Sequence, residues 1–226
     1  MLKPGERIAE IDALRGVAIL LMVIFHIVVD LTDFYDYSYQ YISGFWYYEG
    51  KAAAILFMLL AGISASLGRS PLRHGVQLLL WGMALSTVTW LIMPETYIRF
   101  GILHFLGTSL MSWILVKRQR PGTLLLLAAV CIGLGQPAAA LTADTPLLLP
   151  FGIMPAGFAS IDYYPLFPWY GVFLAGAAAG IAWYGQRQSL TPYWSFPSVL
   201  CWMGRRSLAI YLVHQPIILA LLYLLL

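Results

Sequence analysis

Seven stretches of this chain are apolar for long enough to cross a bilayer, and no other property limits its fold so strongly. A spanning helix needs about 20 mostly apolar residues, because each residue advances about 1.5 Å along an axis that must cross about 30 Å of hydrocarbon. The candidate segments run from Ala9 to Leu31, Ala52 to Gly68, Val76 to Met93, Ile98 to Val116, Thr123 to Leu141, Pro165 to Tyr184 and Ser207 to Leu226. Pro, Gly or charged clusters separate them. The fifth segment runs on toward Pro137, Pro146, Pro150 and Pro155, so residues 137–162 are expected to form an irregular outer connection. The expectation is an all-α integral membrane protein, a bundle of about seven transmembrane helices built as a single domain over residues 1–226.

Composition supports that class: the chain is 61% hydrophobic and 10% charged with a mean hydropathy of +0.79, whereas soluble domains are roughly a quarter charged. A net charge of only +3, from 13 Lys and Arg against 10 Asp and Glu, excludes a classical nucleic-acid binder. Cys131 and Cys201 lie in or beside apolar runs with no metal-ligand spacing and read as packing residues, and no metal is expected.

Charge then orients the chain. Lys and Arg in short loops favour the cytoplasmic side. Lys3, Arg7, Arg15, Arg69, Arg73, Lys117, Arg118, Arg120, Arg187, Arg205 and Arg206 fall on one face, 11 of 13 basic residues, leaving Lys51 and Arg99 opposite. Seven of 10 acids, among them Asp30, Asp33, Glu49 and Asp162, share that opposite face. The N-terminus is therefore expected in the cytoplasm and, with an odd number of spans, the C-terminus outside. The first segment holds Asp12 and Arg15 and lacks a small-residue cleavage pattern before Asp30, so it is expected to be a retained helix.

Polar residues within the apolar runs carry the chemistry, since a charge at mid-bilayer costs at least about 2.5 kcal/mol and persists where it is paired or useful. His26 and Asp30 stand one helical turn apart, so the carboxylate can orient the imidazole, and His26 lies about 25 Å along the helix from Ala9. Asp12 and Arg15 are three apart. Their spacing fits an intrahelical ion pair and equally an arginine facing an anionic ligand. His104 in FGILHFLG and His214 in GRRSLAIYLVHQPI place two more histidines in apolar segments, with Gln215 and the kink-forming Pro216 following the latter. His74 reads as a solvated loop residue. Trp46, Tyr47, Tyr48, Trp90, Tyr97, Tyr163 and Tyr164 read as an outer aromatic belt, and Gly176 with Gly180 as a close-packing pair. Asp162 and Trp169, in DYYPLFPWYG, suit the mouth of a site for a sugar or amine.

The stretch IAEIDALRGVAILLMVIFHIVVDL resembles the opening of the transmembrane acyltransferase superfamily. Together with FMLLAGIS, FGILHFLG, DYYPLFPWYGVFLAG and GRRSLAIYLVHQP, it is similar to the heparan-alpha-glucosaminide N-acetyltransferase catalytic-domain family, from about Arg7 to Pro216. The resemblance implies transfer of an acetyl group from cytoplasmic acetyl-CoA to an amine or hydroxyl of an extracytoplasmic amino sugar or glycan, in a short prokaryotic member of an inner membrane. It also implies roles. Arg15, Arg205, Arg206 and Gln215 would hold the donor, with His104 and His214 near the thioester; His26 would be the base and Asp30 its orienter; Asp33, Asp162 and Trp169 would meet the acceptor. Lipid is the surrounding partner and a homodimer is one assembly left open.

The chain also departs from the lysosomal branch, which has Asn where His26 aligns and a catalytic histidine in the following loop. No histidine occurs here between His26 and His74, and the loop offers Asp33, Tyr35, Asp36, Tyr37, Tyr39 and Tyr41 instead. Direct transfer in a ternary complex is therefore expected. A transporter or assembly subunit for glycans is the alternative, and a haem-binding electron carrier is disfavoured because no helix carries paired histidines.

Overall fold

The computed structural model describes residues 7–226, so Lys3 and its assignment lie outside the described residues. In chain order the helices are α1 (Ala9–Tyr35), α2 (Gly44–Leu67), α3 (Pro71–Ile92), α4 (Ile102–Val116), α5 (Pro121–Gly133), α6 (Gly135–Ala139), a 3-10 helix (Pro146–Phe151), α7 (Leu166–Tyr184), α8 (Ser198–Arg205) and α9 (Ser207–Leu225). Two isolated β-bridges are the extended pairings among the described residues.

Six helices are long and apolar enough to cross a membrane: α1, α2, α3, α5 continued through α6, α7 and α9. α4 is a further, shorter apolar helix, so the expected bundle of about seven stands with one member below the length of the others. The fourth segment was expected from Ile98, yet α4 begins at Ile102 and has 15 residues, about 22 Å of helix. The cause is local. Ile98 N–H donates to Thr89 Oγ1 at 3.1 Å, Phe100 bridges Tyr163, and the Asp162 carboxylate accepts from Ile102 N–H at 2.9 Å, so these bonds replace a helical first turn. In the 137–162 connection a short helix extends to Ala139, and Pro146–Phe151 winds as a 3-10 turn capped by Thr145. α1 and α2 overrun their expected ends. α1 reaches Tyr35, where Asp36 turns left-handed at φ 58° and Tyr37 N–H closes on Leu31 O at 3.1 Å, a stop that Asp tolerates through its short polar side chain. α2 starts eight residues early and takes in Trp46, Tyr47 and Tyr48; α8 was not anticipated. His74 sits in the first turn of α3 and not in a loop, exposed, with Nδ1 3.0 Å from Ser70 O.

The chain forms two compact units, one of residues 1–60 with 186–226 and one of residues 61–185. In the first, α8 lies against α1 at van der Waals contact of the backbones: a Cβ on Gly16 would run into Leu200 O, and one on Gly204 into Asp12 O. Small residues at such crossings let helices approach without lipid between them. Glu10, buried in the first turn of α1, accepts from Ser189 Oγ at 2.8 Å and from Leu190 N–H at 2.7 Å, anchoring the strand of chain that leads to α8. Ile19, Met58 and Leu60 are fully buried here.

In the second unit α3 and α4 meet at Gly75 and Gly107, where a Cβ on either would stand 2.8 Å from the other's carbonyl oxygen. α4 joins α7 through Ser112 and Tyr170, hydroxyl to hydroxyl at 3.0 Å, and Phe105, Leu124, Phe173 and Leu174 fill the interior. Gly180, one half of the expected small pair, packs on Ile63 and Ser66. Large apolar side chains such as Leu91, Ile92, Leu115 and Leu224 remain uncovered by protein. A face of that kind needs lipid.

Candidate functional site

Two buried polar residues of the first unit, Asp30 and His214, meet where α9 packs on α1. Asp30 is 2% exposed and His214 8%. Gln215 Nε2 donates to Asp30 Oδ1 at 2.7 Å, while Asp30 Oδ2 and Gln215 Oε1 are buried without a hydrogen-bond partner among the described residues. One turn below, the rings of His26 and His214 stand edge to face with centroids 4.7 Å apart and planes at 82°. On α1 the two groups share a face, positions 26 and 30 being one turn apart, whereas α9 contributes two consecutive residues, 214 and 215.

The imidazoles have a defined chemistry. His26 Nδ1 is 2.9 Å from Met22 O and His214 Nδ1 2.6 Å from Tyr211 O. A carbonyl oxygen only accepts, so each Nδ1 carries a proton, and in the neutral ring Nε2 is then the acceptor. His214 Nε2 is buried and unpartnered among the described residues. The expected pairing of Asp30 with His26 does not occur. Asp30 is taken by the Gln215 amide, and His26 finds its orienting acceptor in the backbone of its own helix.

Toward the other end of α1, Arg15 donates to Asp12 at 3.0 Å and Arg7 reaches the same oxygen at 3.5 Å. The Arg15 side chain is 17% exposed, so of its two readings the ion pair is the one seen. Arg205 and Arg206 are exposed at the junction of α8 and α9. Arg206 stands at a groove of about 330 Å³ that is otherwise apolar, lined by Trp202, Ala209, Ile210 and Val213. The groove runs along one exposed face of α8 and α9, with Val213 at its far end and His214 outside its lining.

Of the remaining expected residues, Asp33 is in the first unit and His104, Asp162 and Trp169 are in the second. Asp33 is exposed and accepts from Tyr41 Oη at 2.8 Å, a bond that pushes the Tyr41 phenol up because it favours the protonated form. His104 belongs to the second unit, buried, with Nε2 3.5 Å from Ser86 Oγ and its ring against Gly82. Asp162 uses its carboxylate to cap α4, a structural task that the mouth reading did not foresee. Trp169 packs edge-on against Tyr164 with centroids 5.6 Å apart. Tyr163 donates to Leu149 O at 2.7 Å, and burial pushes its phenol up to about 12.

Three residues with a stake in the first unit escaped the sequence reading. Tyr211 supplies the carbonyl that orients His214; a partner three residues back on a helix was the available signal. Glu10 looked like an ordinary first-turn acid. Glu49 has both carboxylate oxygens buried without a partner among the described residues, one position before Gly50, which packs on the Phe25 ring. An acid inside a long apolar helix was its signal. Among the described residues no three His, Cys, Asp or Glu side chains gather as a metal site.

The family model described as heparan-alpha-glucosaminide N-acetyltransferase, catalytic, matches residues 7–216. No curated protein and no solved structure matches the chain.

Proposed function

The chain belongs to the heparan-alpha-glucosaminide N-acetyltransferase catalytic family, and from that premise we propose that it moves an acetyl group from acetyl-CoA to the amine or hydroxyl of an extracytoplasmic sugar or glycan. The observation that carries the reading is His214 Nε2, buried with no hydrogen-bond partner among the described residues, beside the His26 ring. A buried imidazole acceptor left unsatisfied is unfavourable unless a donor arrives to meet it. An N–H or O–H of the acceptor is such a donor.

In the proposed reaction one imidazole of the pair, His214 or His26, removes that proton as the acceptor's nitrogen or oxygen attacks the thioester carbonyl carbon. The new C–N or C–O bond forms, the C–S bond breaks, and the proton passes to the sulfur to give CoA. General-base assistance of this kind contributes about 10²–10⁴-fold. Arg206, with Arg205 beside it, would hold the donor's phosphates through charge-assisted bonds, and the apolar groove would take the flexible arm that ends near His214. Arg15, tied to Asp12, is assigned to structure. Asp30 acts through Gln215, which it holds at the level of the histidines.

The side of the membrane follows from the basic loops: N-terminus in the cytoplasm, and, with α4 counted as a crossing, the C-terminus outside. A prokaryotic inner membrane is the location proposed. His104, Asp33 and Trp169 stay as proposed contacts of donor or acceptor.

Calorimetry of detergent-purified protein with acetyl-CoA, CoA and an unrelated nucleotide tests the donor half. Saturable acetyl-CoA binding that Arg206→Ala weakens is expected. Well-folded protein that binds none of the three sinks the reading and leaves the transporter or assembly alternative.

A further inference from the structure

Arg99 lies in the connection between α3 and α4, at the opposite end of α4 from Lys117, Arg118 and Arg120. It is one of two basic residues on the face that the positive-inside pattern leaves acidic. A lone arginine there needs a reason. Its guanidinium carbon sits 4.9 Å from the centroid of the Tyr97 ring and 5.3 Å from that of Phe158. The backbone below is fixed too: Arg99 N–H donates to Ser160 Oγ, which in turn donates to Tyr97 O at 3.0 Å and Asp162 O at 2.9 Å.

The side chain is thus held by its π-face, and none of its N–H donors has an acceptor among the described residues. Arg99 Nε is buried and unpartnered. No carboxylate forms an ion pair with it among the described residues, and Asp162 Oδ2 accepts from Ile102 N–H. Cation–π contact does not use up in-plane donors, and a planar fork pre-positioned in that way matches an oxyanion. At the end of the membrane-spanning helix α3, with Trp90 and Tyr97 alongside in sequence, the oxyanion that lipid headgroups offer is phosphate.

We propose that Arg99, held over Tyr97 and Phe158, binds a phosphate group on the extracytoplasmic side, carried by a lipid headgroup or by a phosphorylated solute. The site lies wholly in the second unit and does not depend on the acetyl-transfer reading.

The test is thermal unfolding of the full chain in a phosphate-free glycoside detergent, titrated in separate arms with inorganic phosphate and with dioctanoyl phosphatidic acid at matched ionic strength. Wild-type protein is expected to gain melting temperature saturably in at least one arm, and Arg99→Gln in neither. A response to the lipid alone assigns a headgroup, and a response to inorganic phosphate alone assigns a soluble phosphate. Equal gains in wild type and Arg99→Gln would place the anion on the cytoplasmic arginines and overturn the proposal, as would no gain in either arm. Should Arg99→Gln fail to fold, Arg99→Lys keeps the charge and loses the fork; its phosphate affinity is expected to fall about tenfold, and an unchanged affinity overturns the proposal. Acetyl-CoA calorimetry on the same variants is expected to match wild type, so failure here and failure of the transfer reading separate cleanly.

Discussion

Gln215 Nε2 donates to Asp30 Oδ1 at 2.7 Å, joining α9 to α1 by a charge-assisted bond in a setting with almost no solvent. Gln215→Leu keeps the volume and removes the donor, leaving a buried carboxylate with neither oxygen satisfied. The expected loss is about 1–3 kcal/mol, read as a lowered melting temperature in detergent. An unchanged melting temperature with retained folding would show that the bond does not hold the seam.

His214→Phe fills the space of the imidazole and deletes Nε2. Acetyl transfer is expected to fall about 10²–10⁴-fold, with acetyl-CoA affinity within about threefold because the ring is not placed on the donor's phosphates. Turnover by a chromogenic thiol assay on liposome-reconstituted protein measures it. Retained turnover in this variant and loss in His26→Phe would move the base to His26.

Gly204→Ala forces a methyl into Asp12 O where α8 crosses α1. Overpacking of this sort costs about 1–3 kcal/mol. Because the clash is with backbone, neighbouring side chains cannot relieve it, and a melting temperature equal to wild type would contradict the crossing.

Glu10→Ala removes both acceptors that hold Ser189 and Leu190. The segment around Arg187 should then be cut faster by trypsin, with Glu10→Gln between the two because one carbonyl acceptor survives. Identical cleavage of all three proteins would show that the anchor is dispensable.

Tyr163 supplies an alkaline signature. Its phenol is pushed up to about 12 in the folded protein by burial, against about 10 in the unfolded chain. Its contribution to stability is full below about pH 10 and is lost as pH rises to about 12. Tyr163→Phe is expected to shallow the loss of stability across that window; an identical pH profile would show that another group governs it.

The membrane class and the helices themselves were legible because about 20 apolar residues leave the backbone one low-energy form in lipid. α4 was misjudged at its outer end because apolar pattern carries no trace of a cap supplied from 60 residues away, the distance between Ile102 and Asp162. At the site, His26, Asp30, His214 and Gln215 stood out as polar residues in apolar runs. Their pairing did not. One-turn spacing favoured Asp30 with His26, whereas the actual donor comes from α9, 185 residues on, and only tertiary packing decides between an intrahelical and an interhelical partner. Glu10 and Arg15 show the same limit: both are first-stretch charges, yet one anchors a distant segment and the other closes on Asp12.

Because each histidine bonds its Nδ1 to a carbonyl of its own helix, Met22 for one and Tyr211 for the other, the proton arrangement of the pair is preset in each helix's own frame. Were α1 and α9 to move relative to one another, each imidazole would keep its own carbonyl partner and its Nδ1 proton. The orientation of each ring is thereby set within one helix and does not depend on the seam staying closed.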